Sequence, residues 1–123
     1  MLRNGLISIV DDDDAFRESI LGFVRSAGFV AQGFASAEEF LTFDLAATHC
    51  LTLDVSMPGM SGLDLQSELR ARRLQIPIIF ITAHGDERTR ARALREGALA
   101  CLPKPFDGEE LLRLIETALG ESR

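Results

Sequence analysis

The sequence predicts an α/β fold in which five parallel β-strands alternate with five α-helices. Short runs of aliphatic and β-branched residues recur along the chain, and the stretches between them carry apolar residues at helical spacing. Crossovers between parallel strands are right-handed, so the helices should cover both faces of the sheet and form three layers. The predicted strands are Leu6 to Val10, Val30 to Phe34, Cys50 to Leu53, Ile76 to Ile81 and Leu99 to Leu102.

Length and composition predict one domain spanning residues 1–123. The chain is 46% hydrophobic and 26% charged, and at this length a domain buries about two-thirds of its unfolded surface without needing disulfides or a structural metal. No linker, repeat or low-complexity segment divides it. The longest apolar runs are strand-sized, which predicts neither a secretory signal nor a membrane span and favours a cytoplasmic location.

Charge and cysteine content argue against two further classes of protein. The chain has 13 basic and 19 acidic residues, a formal net charge of −6, and no basic stripe interleaved with aromatic residues, so this domain is not expected to bind nucleic acid. Cys50 and Cys101 have neither CxxC spacing nor histidine partners, which excludes a zinc site of the usual pattern. Both are expected to be buried free thiols.

The first two helices are predicted from their apolar spacing and their capping residues. In helix one apolar residues recur at positions three or four apart, and Gly28 follows as a stop. Helix two begins at Ser36, with Glu39 three residues later as in a capping box. The expected core residues are Phe16, Ile20, Phe23 and Ala27 in helix one, and Phe40, Leu41 and Phe43 or Leu45 in helix two.

Helices three to five are predicted in the same way. Helix three runs from about Gly62 to Arg72, helix four runs from near Asp86 to a stop at Gly97, and helix five starts at Asp107, with Glu110 giving a second capping pattern. Their expected core residues are Leu65 and Leu69, then Ala91, Leu94 and Ala98, then Leu111, Leu114, Ile115 and Ala118. Helix four offers the core little apolar area, so we expect it to be loosely held.

Chemically active side chains follow four of the five predicted strands. Asp11 to Asp14 follow strand one, Asp54 follows strand three, Thr82 ends strand four, and Lys104 stands between two prolines after strand five. Each has an ordinary structural explanation, as a helix cap, a turn former or a solvated surface charge. However, ligands of open α/β sheets bind at the carboxyl ends of the strands, so the topology would bring these groups to one rim.

The combined pattern predicts phosphoryl chemistry. Three carboxylates a few ångströms apart repel by about 1–4 kcal/mol per pair, so they require a divalent cation or a raised pKa. An oxygen-only donor set favours Mg²⁺ over zinc. One carboxylate would then be free to attack phosphorus, while a hydroxyl and an ammonium hold the remaining phosphoryl oxygens. The sequence therefore predicts an aspartyl-phosphate site.

Four segments carry a family resemblance: Ile9-Val-Asp-Asp12, Asp54-Val-Ser-Met-Pro-Gly-Met-Ser-Gly62, Phe80-Ile-Thr-Ala-His-Gly-Asp86 and Pro103-Lys-Pro-Phe106. In order and spacing they resemble the receiver domains of two-component response regulators, and the resemblance covers nearly the whole chain. It implies a flavodoxin-like sheet with strand order 2-1-3-4-5. The Thr-Ala-His-Gly-Asp stretch is similar to the nitrogen-fixation type of regulator, in which a longer parent chain adds a helix-turn-helix output domain.

The resemblance also implies a role for each site residue. Asp54 would be the phosphoacceptor and a histidine kinase the phosphoryl donor, with Asp12 binding Mg²⁺ directly, Asp11 holding a metal-bound water and the main-chain carbonyl of Ser56 completing the ligands. Thr82 and Lys104 would contact the phosphoryl oxygens. The Lys104–Pro105 bond is often cis in the family. The domain would be a phosphoacceptor signalling module, which promotes only its own phosphorylation and dephosphorylation.

One departure from the family concerns signal transmission. Many receivers carry Tyr or Phe three residues before the lysine, as a rotameric switch, whereas this chain has Cys101. Without that aromatic ring, helix four itself is expected to move when Thr82 shifts, which makes helix four, strand five and helix five the predicted output surface. Positions Ser56 and His84 tune the acyl phosphate's hydrolysis in the family, and their effect here does not follow from residue type.

Two alternative functions belong to other classes. A haloacid-dehalogenase-like phosphohydrolase also uses a strand-end aspartate and Mg²⁺, but Ser56 stands where its second aspartate would be. The other alternative is a degenerate interaction module that never accepts phosphate. Such a module would not need all five of the polar residues at the strand ends, which are Asp11, Asp12, Asp54, Thr82 and Lys104. Opposite charges, Arg88, Arg92 and Arg95 on helix four and Glu109, Glu110 and Glu116 on helix five, suit a homodimer contact, although two separately solvated faces are the alternative.

Overall fold

Five parallel strands form one sheet in the order β2-β1-β3-β4-β5, which confirms the predicted topology. A computed structural model describes residues 3–83 and 86–120. The strands are β1 (Arg3–Val10), β2 (Phe29–Phe34), β3 (Thr48–Leu53), β4 (Ile78–Thr82) and β5 (Ala100–Pro103). The helices are α1 (Asp14–Ser26), α2 (Ala37–Leu41), α3 (Gly62–Ala71), α4 (Glu87–Arg95) and α5 (Gly108–Ala118), with a 3₁₀ turn at Leu45–Ala47.

The sheet separates two apolar cores. One core joins the sheet to α1 and α5 and includes Ile7, Ile79 and Leu111, whereas the other lies on the α2, α3 and α4 side and includes Phe40 and Phe80. All five side chains are fully excluded from solvent. Helices on both faces give the expected three layers, and they leave the carboxyl ends of the strands free to carry the site.

Most of the predicted caps and stops are present. The Ser36 hydroxyl accepts from the Glu39 N–H at 3.0 Å, although Glu39 accepts from the Ala35 N–H rather than from that of Ser36. Asp107 accepts from the N–H groups of Glu109 and Glu110. Gly28 and Gly97 follow α1 and α4 with φ of 95° and 106°. A complete capping box at the start of α3, formed by Ser61 and Asp64, was not predicted.

The predicted core face of α4 is wrong. Ala91 and Leu94 are exposed, and the helix instead buries Ala93, while the expected Ala98 beyond its end is buried. The buried Gln66 of α3 donates a hydrogen bond from its Nε2 to the carbonyl of Ala93 at 3.0 Å. The α4 backbone at Ala93 therefore lies against α3, with the Ala93 side chain in the core.

The core face of α1 is shifted in a similar way. Ile20 is buried as expected, but Leu21 and Val24 are its other buried residues, while Phe16, Phe23 and Ala27 are partly buried at the edge. In α5 Leu111 and Ile115 are fully buried, and Leu114 and Ala118 are only partly so. In α3 the expected Leu65 and Leu69 are buried. Phe40 is fully buried in α2, and Leu41, Phe43 and Leu45 pack against the core at its margin.

Cys50 and Cys101 are buried free thiols, as predicted. They belong to β3 and β5, which lie on opposite sides of β4. Two inter-strand steps separate such residues by about 10 Å, which exceeds the Cα separation that a disulfide tolerates.

Candidate functional site

The ends of β1, β3, β4 and β5 bring the predicted polar residues to one rim of the sheet. Asp11 directly follows β1, Asp54 follows β3, Thr82 ends β4 and Lys104 follows β5. Backbone hydrogen bonds continue the sheet into these positions: the Asp54 N–H donates to the Val10 carbonyl and the Lys104 N–H donates to the Thr82 carbonyl, both at 3.1 Å. The sheet itself therefore sets the spacing of the groups.

Three carboxylates come together at this rim. Asp11, Asp12 and Asp54 each place one oxygen within 4.8 Å of the others. Asp11 and Asp54 are only 2% and 7% exposed, whereas Asp12 is exposed. A set of three carboxylate oxygens with one side open to solvent suits a hard divalent cation, so this cluster could hold a metal ion.

Lys104 bridges the two buried carboxylates. Its Nζ lies 2.9 Å from Asp11 Oδ2 and 3.5 Å from Asp54 Oδ2. The same Nζ lies 4.2 Å from the centroid of the Phe16 ring, a cation–π contact that adds to the hold on the ammonium. The ammonium is therefore positioned over the acidic cluster rather than dispersed in solvent.

The electrostatic balance of the cluster is incomplete. Burial raises the pKa of the Asp54 carboxyl and the neighbouring Asp11 carboxylate raises it further, while Lys104 and a backbone hydrogen bond with Ser56 act to lower it. Burial acts to lower the pKa of Lys104, but Asp11 and Asp54 outweigh it and the net pKa is raised. Lys104 thus stays protonated, and Asp54 remains short of compensating positive charge, which a cation would supply.

Several contacts that hold Asp11 and Lys104 in place were not predicted from the sequence. Arg17 of α1 donates from Nη1 to the Asp11 carbonyl at 2.7 Å, and the Asp13 N–H donates to Asp11 Oδ1 at 2.9 Å. Arg17 and Phe16 occupy the first turns of α1, immediately after the acidic run. Their proximity in sequence to Asp11 was the available signal, but the contact of Phe16 with Lys104 is long-range and has no local signature.

The loop after Asp54 is held by two further residues that the sequence did not single out. A Cβ on Gly62 would lie 2.1 Å from the Asp54 carbonyl oxygen, so only glycine fits there. On the outer side, Glu38 of α2 accepts a hydrogen bond from the Met60 N–H at 2.9 Å. This backbone hydrogen bond lowers the pKa of Glu38 and joins the loop to α2.

The remaining predicted positions lie around this cluster. Thr82 is 4% exposed at the end of β4, and Ser56 is exposed two residues after Asp54. His84 and Gly85 lie outside the described residues. The Lys104–Pro105 peptide bond is cis, as the resemblance implied.

Beside Thr82, Cys101 lines a cavity of about 260 Å³ instead of filling it. Arg90 of α4 reaches across this space and donates to the Cys101 carbonyl at 2.7 Å. The contact between α4 and β5 is therefore partly polar at Cys101, the position at which the family resemblance leads us to expect an aromatic side chain.

Each of the described helices is too short or too polar to cross a membrane.

Comparisons with known proteins agree with this architecture. The family model of the response regulator receiver domain matches residues 7–116. The response regulator protein TodT of Pseudomonas putida is 47% identical over 118 residues, which cover 95% of this chain and 52% of TodT. Nodulation protein W of Bradyrhizobium diazoefficiens is 43% identical over 119 residues, covering 96% and 52%.

Solved structures give the same result. The structure of FixJ-N has a TM-score of 0.88 at 32% identity and covers 99% of this chain and 98% of its own. That of the response regulator StyR has a TM-score of 0.85 at 45% identity, covering 95% and 60%. The chain spans about half the length of the curated relatives described above. By its fold, its family model and its relatives, the chain belongs to the receiver domain family of two-component response regulators.

Proposed function

We propose that Asp54 accepts a phosphoryl group from a phosphohistidine of a partner histidine kinase, in a Mg²⁺-dependent reaction in the cytoplasm. The observation that carries the proposal is the position of Lys104 Nζ, 2.9 Å from Asp11 and 3.5 Å from Asp54 at the rim of the sheet. An ammonium that contacts two buried carboxylates can stabilise the negative charge of a phosphoryl group when that group is transferred to one of them. Residues 1–123 would form one receiver domain, and relatives of about twice this length support an output domain in a longer parent chain.

The donor set fits Mg²⁺. Asp12 and Asp54 would bind the ion directly, Asp11 would hold a metal-bound water, and the carbonyl of Ser56 would complete the protein ligands. Three carboxylate oxygens within 4.8 Å of one another support this assignment, because Mg²⁺ prefers oxygen donors. When bound, the ion neutralises charge on the phosphoryl oxygens.

The protein's own groups would carry the transfer. A carboxylate oxygen of Asp54 attacks phosphorus in line with the phosphorus–nitrogen bond of the donor. As the oxygen–phosphorus bond forms, the phosphorus–nitrogen bond breaks and its electron pair returns to the kinase imidazole. Lys104 then pairs with the transferred phosphoryl oxygens, and the hydroxyl of Thr82, at the end of β4, donates to another of them.

The alternatives are less well supported. A haloacid-dehalogenase-like hydrolase needs a second acid two residues after the nucleophile, where Ser56 stands. A degenerate module without phosphorylation would have no use for an ammonium held between two buried carboxylates, since such an arrangement is costly to desolvate.

The output surface is proposed to consist of α4, β5 and α5. Within the described residues α4 buries only Ala93, and its polar anchor to β5 is Arg90. Elements with little buried apolar area lie at the low-stability end of a fold, from which switching segments are drawn. The exposed Arg88, Arg92 and Arg95 of α4 and the exposed Glu109 and Glu110 of α5 suit contact with a second copy of the domain after phosphorylation, whereas Glu116 is partly buried.

Beryllofluoride binding tests the acceptor assignment. The ¹⁹F NMR spectrum should show a protein-bound beryllofluoride signal that appears only with Mg²⁺ and is lost in Asp54→Asn, because an amide is not a competent ligand or nucleophile. Lys104→Met should weaken the bound signal while leaving the Mg²⁺ affinity within tenfold of the wild-type value. A bound signal in Asp54→Asn would contradict the assignment, and turnover of phosphate esters would favour the hydrolase.

Hydrogen exchange tests the output surface. With Mg²⁺ and beryllofluoride, the largest changes outside the acidic site should fall between residues 83 and 97. Changes confined to α2 and α3 would refute the proposed surface.

A further inference from the structure

We infer that a cavity at the opposite end of the sheet from the acidic site binds a compact apolar molecule that ends in a single carboxylate. The cavity has a volume of about 480 Å³ and lies between the end of α3, the start of β4 and the turn from α4 to β5. This volume falls within the range of small-molecule sites. The inference is independent of whether Asp54 is phosphorylated.

Most of the residues that line the cavity are apolar, and the polar ones are Gln66, Arg70, Gln75 and Glu96. Its floor is formed by the buried side chains of Leu69, Ile78 and Ala98, and its sides by Leu74, Ile76, Pro77 and Leu99. Leu99 is 37% exposed, so a large apolar side chain remains partly in water at the mouth. A ligand covering it would remove apolar surface from water at both partners.

Backbone hydrogen bonds hold these walls in place before any ligand arrives. The Leu74 N–H donates to the Leu69 carbonyl at 2.9 Å, and the Leu99 N–H donates to the Ile78 carbonyl at 2.8 Å. The Pro77 carbonyl accepts from the Leu51 N–H at 2.9 Å. A preformed cavity loses less entropy on binding than one that must be ordered.

Charge around the cavity favours an anionic group. Arg70 and Glu96 are the charged residues that line the cavity, and Arg92 pairs with Glu96, so two positive charges stand against one negative charge there. Arg70 lines the cavity, and its side chain is 60% exposed. A guanidinium at the mouth of an apolar cavity matches the planar geometry of a carboxylate.

Glu96, which also lines the cavity, does not exclude that anion. Its Oε1 lies 3.7 Å from Arg70 Nη1 and its Oε2 lies 3.3 Å from Arg92 Nε, so the carboxylate is shared between two arginines. Both arginines are exposed and the two distances are long, so neither ion pair holds its arginine strongly. A ligand carboxylate can therefore form an ion pair with Arg70 while Glu96 stays paired with Arg92.

Occupancy of the cavity would also reach α4. Gln66 lines the cavity, and its Nε2 donates to the carbonyl of Ala93, the buried residue of that helix. Gly97 and Ala98, just after α4, line it too. A bound ligand is therefore expected to slow amide exchange at residues 93–99.

Titration with 2-naphthoate, followed by protein NMR, tests the inference, with 2-naphthamide as its uncharged counterpart. Shifts should centre on Leu69, Ile78 and Leu99, with a dissociation constant of about 1 mM or tighter. The acid should bind more tightly than the amide. Arg70→Gln should weaken binding of the acid by about two- to fivefold and leave binding of the amide unchanged. Leu99→Gln should weaken binding of both compounds.

Matched variants locate the site. Arg72 directly follows α3 and pairs with Glu68 outside the cavity. Leu94, also outside the cavity, is 38% exposed, about the same as Leu99 at 37%. Arg72→Gln and Leu94→Gln should therefore leave both affinities unchanged. Absence of shifts at the solubility limit, equal affinity for acid and amide, or equal losses in the control variants would overturn the inference.

Discussion

Replacing Gly62 with alanine should destabilise the protein, although alanine is the better helix former. Gly62 begins α3 and its N–H donates to the Val55 carbonyl at 2.8 Å. An added Cβ would lie 2.1 Å from the Asp54 carbonyl oxygen, 2.9 Å from its carbon and 3.0 Å from the Val55 Cα. All three are backbone atoms, so no side chain can rotate away. The loop after Asp54 must shift by about 1.2–1.5 Å to bring the added Cβ to an ordinary carbon–oxygen distance of about 3.3–3.6 Å.

The cost follows from this displacement. Overpacking typically costs about 1–3 kcal/mol, and alanine recovers about 0.5–1 kcal/mol of helix propensity. We expect a net loss of about 1–2 kcal/mol, which for a chain of 123 residues lowers Tm by about 4–8 °C. Because Asp54 moves with its carbonyl, phosphorylation of the variant should also slow.

A second glycine provides the control. Gly22 lies inside α1, is exposed, and an added Cβ there meets nothing within 4 Å. Gly22→Ala should therefore raise Tm by about 2–4 °C through helix propensity alone. Calorimetry and urea unfolding measure both variants. A Gly62→Ala protein as stable as the wild type, or a change of the same sign in both variants, would refute the steric argument.

Three further predictions concern single side chains. Burial raises the pKa of the Cys50 thiol to about 12, so native protein at about pH 8 should resist iodoacetamide at Cys50 while unfolded protein reacts; rapid native alkylation would contradict its burial. Asp86 caps α4 by accepting from the Thr89 N–H at 2.7 Å, which lowers its pKa from the ordinary 3.8. Its stabilisation is complete above the unfolded pKa and disappears as the pH falls through the lower folded pKa, so the Tm advantage of wild type over Asp86→Asn should shrink below about pH 4; an advantage that grew on acidification would be inconsistent with this sign. Arg17→Met removes the hydrogen bond to the Asp11 carbonyl and should cost about 1–2 kcal/mol in urea unfolding, whereas an unchanged midpoint would show that this contact is not stabilising.

The sequence predicted the sheet and the positions of the strand-end residues well, because apolar runs define the strands and the strand ends define these positions. Apolar runs identify the strands of a buried parallel sheet, and the residue after each run must lie at its carboxyl edge. Asp11, Asp54, Thr82 and Lys104 are all placed by this rule, and the structure brings them to one rim.

The prediction failed where the helix surface carries little apolar signal. In α4 the uncharged positions are mostly alanine and threonine, and alanine fits equally well at a buried or an exposed position. The buried position, Ala93, is bonded through its carbonyl to Gln66 of another helix, a long-range contact that the sequence of α4 does not signal. The steric requirement at Gly62 was likewise hidden, because it depends on a backbone oxygen eight residues away.

Labelling with acetyl phosphate, followed by intact and peptide mass spectrometry, tests the central claim most directly. We predict the addition of one phosphoryl group per chain, dependent on Mg²⁺, located at Asp54 and absent from Asp54→Asn, while Asp44→Asn, an exposed aspartate outside the cluster, labels normally. Undiminished labelling of Asp54→Asn, or stable labelling without a divalent cation, would contradict the account.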